Sequence, residues 1–543
     1  MTAQSVKITP FHDQKPGTSG LRKKTRDFMR PQYLEAFIQS IFNAIGGGHG
    51  KAFVIGGDGR FFNAEAIQTI VKIATANGAT RLIIGQNGIL STPAASHLIR
   101  KYGTDGGFIL SASHNPGGID EDFGVKFNAA NGGPAPEALT AKMFNETKAL
   151  GSYEISDQPD IDLTRIGTTK IGAMQVEIVD PVSDYLALME ELFDFNAISA
   201  LFAGGFRMCF DAMHAVTGPY AHAILEDRLG APKGTVVNGI PKEDFGKGHP
   251  DPNPIWAKTL MDLMMSDNAP DLGAASDGDG DRNMIVGRGA YVTPSDSLAV
   301  LAANAHLAPA YTKGLAGIAR SMPTSAASDR VAARLGIEHF ETPTGWKFFG
   351  NLLDAGRVTI CGEESAGTGS DHVREKDGLW AVLLWLNILA KRNLSVAQIL
   401  TDHWATYGRD YYSRHDFEAI ETSKADALVA ELSDKLPTLP GQCFAGLTVT
   451  KADEFSYHDP VDGSVSTHQG LRVYFDGGGR AVFRLSGTGT EGATLRIYLE
   501  HYEPAEGDHS QDPQTALAPL RDAAYTLSRL TEHTGRSEPD VRT

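Results

Sequence analysis

What most constrains this chain is a rhythm that runs three times: short apolar strands, helices between them, and a polar loop at a strand's end. From Lys51, "AFVI" reads as a buried strand, and Asn63 can cap a helix that Gly78 ends. "RLII" is a second strand, Thr92-Pro93 opens a helix running to Gly103, and "GGFIL" is a third strand that leads into "SASHNPGG". The pattern returns as "FRMCFD", a helical segment ending near Gly230, "TVVN", and "DLGAA" leading into "SDGDGDRN". It returns again as "LAGIA", a helix over Ala326 to Leu335, and "RVTIC" leading into "GEESAG". Such alternation implies mostly parallel sheets covered by helices, with ligands gathering beyond the carboxyl ends of the strands.

The last part differs. "GLRVYF", "RAVFRL" and "ATLRIYLE" read as antiparallel strands, the first two joined by the glycine hairpin "DGGG". Asp512-Pro513 then opens a final helix that Gly535 ends. A chain of 543 residues also exceeds what one hydrophobic core supports. The expected fold class is therefore α/β, with three similar domains built on mixed, mostly parallel sheets and a C-terminal α+β domain. The expected divisions are 1–180, 181–306, 307–398 and 399–543.

"SDGDGDRN" carries the most specific chemistry. Asp277, Asp279 and Asp281 alternate with glycines, so three carboxylates can converge; a hard divalent cation removes their mutual repulsion. A calcium EF-hand reading fails, because its turn glycine would be Arg282, its terminal glutamate would be Arg288, and strands flank the loop. Magnesium, which takes few carboxylates plus phosphate oxygens, fits better. In "RLSGTGTEG", Ser486, Gly487 and Thr488 offer hydroxyl and backbone N–H groups as an anion nest, flanked by Arg484 and Arg496. "CGEESAG" offers Glu363 and Ser365 to sugar hydroxyls, "ETPTGWKFF" adds Thr344 and Gly345, and "REKDG" adds Lys376. Taken singly, each of these last three loops is more often a solvated loop than a site.

In "FILSASHNPGG", Ser111, Ser113, His114 and Asn115 stand where a strand becomes a turn, and turn chemistry alone would account for them. The alternative is a reactive hydroxyl. A serine-hydrolase reading lacks its GxSxG elbow. Neighbours in an extended segment point apart, so His114 is not expected to serve Ser113 as a dyad partner. Beside a three-aspartate metal loop and a phosphate nest, Ser113 is better placed to carry a phosphoryl group.

The net charge of -17 disfavours nucleic acid and anionic membranes as partners, yet leaves room for a small phosphorylated ligand held by local arginines. Cys209, Cys361 and Cys443 form no CxxC pair, so neither a zinc knuckle nor a disulfide framework is indicated. The longest apolar run, Leu379 to Ala390, is broken by Asn387 and is too short to span a bilayer. With no secretory signal in "MTAQSVKITP", a cytoplasmic protein is expected.

From "KPGTSGLRKK" through "GGDGRF", "SASHNPGG", "HPDPN", "DGDGDRNMI", "ETPTGWKFFGNL" and "CGEES" to "FRLSGTGTEGATLRIY", the ordered blocks resemble the α-D-phosphohexomutase superfamily, in its glucose-type form. The resemblance implies four domains around a central cleft, each contributing one loop. It implies interconversion of glucose 1-phosphate and glucose 6-phosphate through a phosphoserine and glucose 1,6-bisphosphate, with Mg2+ as cofactor. By position, Ser113 matches the phosphoserine, Ser111 replacing the usual threonine before it. Asp277, Asp279 and Asp281 match the magnesium ligands, completed by a phosphoserine oxygen on Ser113. Arg22, His114, Lys126 and Arg282 match residues of the reacting region, with Lys126 expected to move the proton because nearby cations and metal can lower a lysine's pKa. Thr344, Gly345, Glu363, Ser365 and Lys376 match substrate contacts. Arg484, Ser486, Gly487, Thr488 and Arg496 match the distal phosphate site. The resemblance leaves open mannose- or glucosamine-phosphate specificity and a silent sugar-phosphate-binding relative. It implies a hexose phosphate as the partner, with a monomer or weak dimer as the assembly.

Overall fold

The structure, a computed structural model, describes residues 2–17, 19–486 and 492–543. Its first sheet has seven strands. Ala52–Gly57 lies between Arg81–Ile89 and Gly106–Leu110, all parallel, and Asp122–Ala129 then pairs antiparallel with Gly106–Leu110. The second sheet repeats this scheme. Met208–Asp211 and Leu272–Ser276 are parallel, and Asn283–Gly287 runs back antiparallel. In the third, Gly317–Ser321 and Ile360–Gly362 are parallel, with Thr368–Ser370 antiparallel beside them. Each of the three polar loops is thus the turn between a buried parallel strand and its antiparallel partner. The loop backbones leave the sheet at the strand's carboxyl end, where a ligand can reach them.

The fourth sheet is antiparallel throughout, seven strands in all, and its longest pairing joins Arg409–Ile420 to Ala493–Glu503. Leu471–Phe475 and Gly479–Ser486 form the expected hairpin through Asp476–Gly478. A single apolar cluster runs from Ile109 of the first sheet and Leu98 of its covering helix to Phe210 and Leu272, and on to Trp380 and Trp385. The first three sheets are therefore packed as one body around a shared core, while the fourth has its own.

Several local expectations need correction. Phe62, with φ 74, stands at the cap position of the helix Asn63–Ala76, and the Asn63 side chain donates instead to the carbonyl of Gly88 at 3.1 Å. The C-terminal helix is two helices, Pro513–Leu527 and Leu530–Thr534, because Arg529 takes φ 50 and interrupts the hydrogen-bond ladder. The helix Pro294–Asn304 packs its Ala299 and Ala302 on Ile318 and Val331 of the third sheet's layer, before the expected division at 307. The helix Val396–Tyr407 runs straight through the expected division at 398, and the chain breaks instead at Gly408, φ 80. We therefore place the divisions near residues 293 and 408. By contrast, Ser91 caps Thr92–Tyr102 by accepting from the Ala94 N–H at 3.3 Å, and Gly103 ends that helix at φ 59.

Burying histidines in this core has a consequence for acid stability. Burial, reinforced by Arg330 and Arg392, pushes His403 down to about 3. Well above its ordinary value of 6.5 the ring is neutral in both states and contributes no pH dependence. Below that, the unfolded chain takes up a proton that the folded chain refuses, so stability falls with pH until about 3. At pH 5 this ring alone costs roughly 2 kcal/mol. The denaturation midpoint should drop between pH 7 and pH 5, and the drop should shrink in His403→Gln; equal slopes in the two proteins would contradict the assignment.

Candidate active site

Ser113 is buried, 1% exposed, and takes φ 54. This left-handed turn is held by the residues just before it. Ser111 Oγ accepts from the Ser113 N–H at 2.7 Å and donates to Asp58 Oδ2 at 2.6 Å. Asp58 is paired with Arg60, neither side chain having any exposure, and Arg60 also donates to the carbonyls of Ser113 and Asp122, both at 2.8 Å. Because the backbone is not extended at Ser113, His114 does not point away as expected: its Nδ1 lies 3.4 Å from Ser113 Oγ. Burial, then the charges of Arg282 and Arg22, push that imidazole well below its ordinary range.

The serine hydroxyl faces the aspartate loop. Ser113 Oγ donates to Asp277 Oδ2 at 3.0 Å. The loop can come this close because residue 278 is glycine: a Cβ there would stand 2.3 Å from the Ser113 carbonyl oxygen. Gly280, at φ 81, makes the second turn. Ligand atoms of Asp277, Asp279 and Asp281 all lie within 4.8 Å of one another, and all three residues are buried.

Each aspartate has at least one oxygen committed to the protein. Asp277 Oδ1 accepts from the N–H groups of Asp281 and Arg282, at 2.9 and 3.0 Å. Asp279 Oδ2 accepts from Thr92 Oγ1 at 2.7 Å, and Asp281 Oδ2 pairs with Lys376 Nζ at 3.0 Å. Asp279 Oδ1 and Asp281 Oδ1 are buried without partners among the described residues. Burial, with the charges of Asp281 and Asp279, pushes Asp277 well above the usual carboxylate range. Burial acts the same way on Asp279, but the Thr92 hydroxyl, then Lys376 and Lys126, outweigh it and hold that carboxyl down. Two orphaned carboxylate oxygens beside a third acid and a serine hydroxyl fit a hard divalent cation, which prefers oxygen donors.

The remaining expected residues fall into three groups. Arg22 is half-buried on the edge strand Leu21–Lys24 opposite Gly124, its Nε buried without a partner among the described residues, with Asp279 and Asp281 as the carboxylates whose charge it feels. Arg282 reaches toward Asp251, 3.7 Å away. Lys126 is ion-paired to Glu375, a buried carboxylate that sequence reasoning did not single out, so it stands against an anion and not only among cations. In the third unit, Glu363 Oε1 accepts from the Gly345 N–H at 2.9 Å and ties two loops together, while Thr344 Oγ1 is buried without a partner among the described residues. Ser365 lies in a cavity with Arg282, Tyr291, Tyr412 and Arg414, between the second, third and fourth units.

The distal group is partly visible. Arg496 Nε lies 3.5 Å from Asp416 Oδ2, and Arg484 donates to the Tyr498 hydroxyl at 3.4 Å. Gly487, Thr488 and the side chain of Ser486 lie outside the described residues. Asp416 in turn pairs with Arg414 at 3.1 Å, and Arg414 with Glu364 at 3.2 Å, so an ionic chain joins the fourth unit to the sugar-type loop of the third. Sequence reading missed Thr92, Asp58, Arg60, Glu375 and this chain. "GGDGRF" was the one signal pointing at Asp58 and Arg60; the others act across units and leave no local pattern.

Four family models match in succession. Phosphoglucomutase/phosphomannomutase alpha/beta/alpha domains I, II and III cover residues 13–154, 183–289 and 294–407, and the phosphoglucomutase-1 C-terminal domain covers 409–540. A phosphoglucomutase of Rhizobium radiobacter is 61% identical over 540 residues, 99% of this chain and 100% of the relative. A chloroplastic phosphoglucomutase of Arabidopsis thaliana is 53% identical over 554 residues, 99% of this chain and 89% of the relative, and cytoplasmic plant forms also match. Among solved structures, the open form of the exocytosis-sensitive phosphoprotein pp63/parafusin (phosphoglucomutase) from Paramecium superposes with a TM-score of 0.93 at 47% identity, covering 100% of this chain and 99% of that one.

Proposed function

The chain belongs to the phosphoglucomutase/phosphomannomutase family and carries phosphoglucomutase function, and from this premise we propose that it moves the phosphoryl group through Ser113. The observation that carries this reading is the 3.0 Å contact between Ser113 Oγ and Asp277, inside a triad whose spare oxygens await a cation.

In the proposed cycle Ser113 begins as a phosphoester. The substrate, glucose 1-phosphate, offers its 6-hydroxyl; the bond from phosphorus to Ser113 Oγ breaks as the bond to the sugar oxygen forms. Lys126, an ammonium at the start, gives a proton to the departing Ser113 Oγ and takes the hydroxyl proton in its place, and Arg22 and Arg282 stabilise the charge on the phosphoryl oxygens. The product of this half-reaction, glucose 1,6-bisphosphate, reorients and returns its 1-phosphoryl to Ser113, leaving glucose 6-phosphate. Glu363 and Ser365 recognise hydroxyls presented in either orientation, with Thr344, Gly345 and Lys376 beside them. Arg484 and Arg496, with the nest from Ser486 to Thr488, hold the phosphate that is not reacting. His114 completes the wall beside Ser113. Asp277, Asp279 and Asp281 would hold Mg2+, which supplies Lewis-acid withdrawal of charge from the phosphoryl oxygens when bound. The depth of Ser113 excludes water, which keeps the phosphoserine from hydrolysis. A cytoplasmic monomer or weak dimer is the form we propose for the working enzyme; among the described residues no helix is long and apolar enough to cross a membrane.

The test compares glucose 1-phosphate with mannose 1-phosphate and glucosamine 1-phosphate at saturating bisphosphate, with and without chelator. The glucose substrate should turn over fastest, chelation should remove activity, and added Mg2+ should restore it. Full activity in a metal-stripped sample, or a preference for another sugar, would overturn the reading.

A further inference from the structure

We propose that Glu375 is a positioning residue that holds the Lys126 ammonium away from the metal-binding aspartates and so keeps their spare oxygens available to the cation. The inference rests on the reading of Asp277, Asp279 and Asp281 as the metal site.

Four cations crowd this triad: Arg22, Lys126, Arg282 and Lys376. Two have a carboxylate partner that leaves Asp279 Oδ1 and Asp281 Oδ1 open. Lys376 takes Asp281 Oδ2, leaving Oδ1, and Arg282 leans on Asp251. Arg22 sits on a sheet-edge strand, its backbone paired with Gly124. Lys126 is different. Its charge is felt at Asp279, and its long stem would let the ammonium turn toward the unpartnered Asp279 Oδ1. What it pairs with instead is Glu375, 1% exposed at the side chain, whose Oε1 also accepts from Asn128 Nδ2 at 2.8 Å.

Glu375 is itself held rigidly. It belongs to a loop of the third unit wedged between the first two, and its neighbours are tied to both of them. The Arg374 N–H donates to Ser96 Oγ at 3.0 Å, Lys376 reaches Asp281, and Asp377 accepts from the Tyr185 hydroxyl at 2.6 Å and contacts His372 Nε2 at 2.9 Å. The Gly378 N–H donates to the Gly280 carbonyl of the aspartate loop at 3.1 Å. An acid so fixed can hold a flexible lysine in one place, whereas a neutral amide there would hold it weakly. Released, the ammonium would compete with the divalent cation for Asp279.

The experiment is a titration of Mg2+ into unphosphorylated, metal-stripped full-length chain, followed by calorimetry, for wild type, Glu375→Gln, Lys126→Met and the double variant. Glu375→Gln should weaken metal binding about ten-fold. Lys126→Met should bind at least as tightly as wild type, and the double variant should match Lys126→Met within about two-fold. Glu375→Asp, which keeps the charge, should fall between wild type and Glu375→Gln and serves if the amide variant folds poorly. A Glu375→Gln protein with wild-type affinity would overturn the proposal. So would a double variant as weak as Glu375→Gln alone, since the loss would then come from a distorted loop and not from the lysine. A wild-type chain that binds no Mg2+ would instead remove the metal-site reading beneath it. Because the readout is metal affinity, failure over sugar preference or phosphoserine chemistry leaves the inference standing.

Discussion

Ser113→Ala is expected to lower kcat by at least about 10⁴-fold while the chain stays folded, as removal of a nucleophile does in enzymes whose remaining groups only bind and polarise. No other described hydroxyl stands ready to replace it. Ser111 is committed on both sides, donating to Asp58 and accepting from the Ser113 N–H, and Thr92 is committed to Asp279. The lost contacts are one hydrogen bond to Asp277 and a long approach to His114, so the stability cost should stay near 1 kcal/mol. Intact mass separates mechanism from misfolding. Incubated with glucose 1,6-bisphosphate, the wild-type chain should gain one phosphoryl group and the alanine variant none. An alanine variant that turns over at the wild-type rate, or gains the same mass, would place the phosphoryl carrier elsewhere.

The architecture was legible because each of the first three units writes its function at a strand end. Glycines alternating with aspartates, or serines before Pro-Gly-Gly, cannot continue a buried strand, so the turn and the chemistry share one signal. What could not be read was backbone that departs from the local default. The expectation for His114 assumed an extended chain, and the φ of 54 at Ser113 reversed it. Asn63 carries the side chain of a cap, but the positive φ of Phe62 moves the helix start and frees that amide for Gly88. Glu375 and Thr92 were beyond reach for a different reason. Each touches the catalytic loops from another unit, 249 positions from Lys126 in one case and 187 from Asp279 in the other, and nothing in either neighbourhood marks the partner. The same holds for Arg414, whose pairing with Glu364 exists only once the fourth sheet meets the third, while Asp416 meets Arg496 across neighbouring strands far apart in sequence.

The second large effect is expected at Arg60, which touches no substrate group in the proposed cycle. Arg60→Met should cost about 3–5 kcal/mol of stability, because it strands the Asp58 carboxylate in a place with no access to water. Methionine fills much of the same volume, so the loss measures the unpaired charge and not a cavity. Activity should fall as well, since Arg60 is the donor to the carbonyl of Ser113, and Asp58 is the acceptor that orients Ser111 beneath it. A paired variant separates the two effects. In Arg60→Met combined with Asp58→Asn the buried charge is gone, so much of the stability should return; kcat should not, because the Ser113 carbonyl still lacks its donor. Arg60→Lys keeps the charge but loses the fork that serves Asp58, Ser113 and Asp122 at once, and should rank between wild type and methionine in both measurements. Denaturation midpoints and kcat on the four proteins decide it: a methionine variant within about 1 kcal/mol of wild type would mean that Asp58 folds protonated. Recovery of kcat in the paired variant would mean that the left-handed turn at Ser113 holds its shape without the guanidinium.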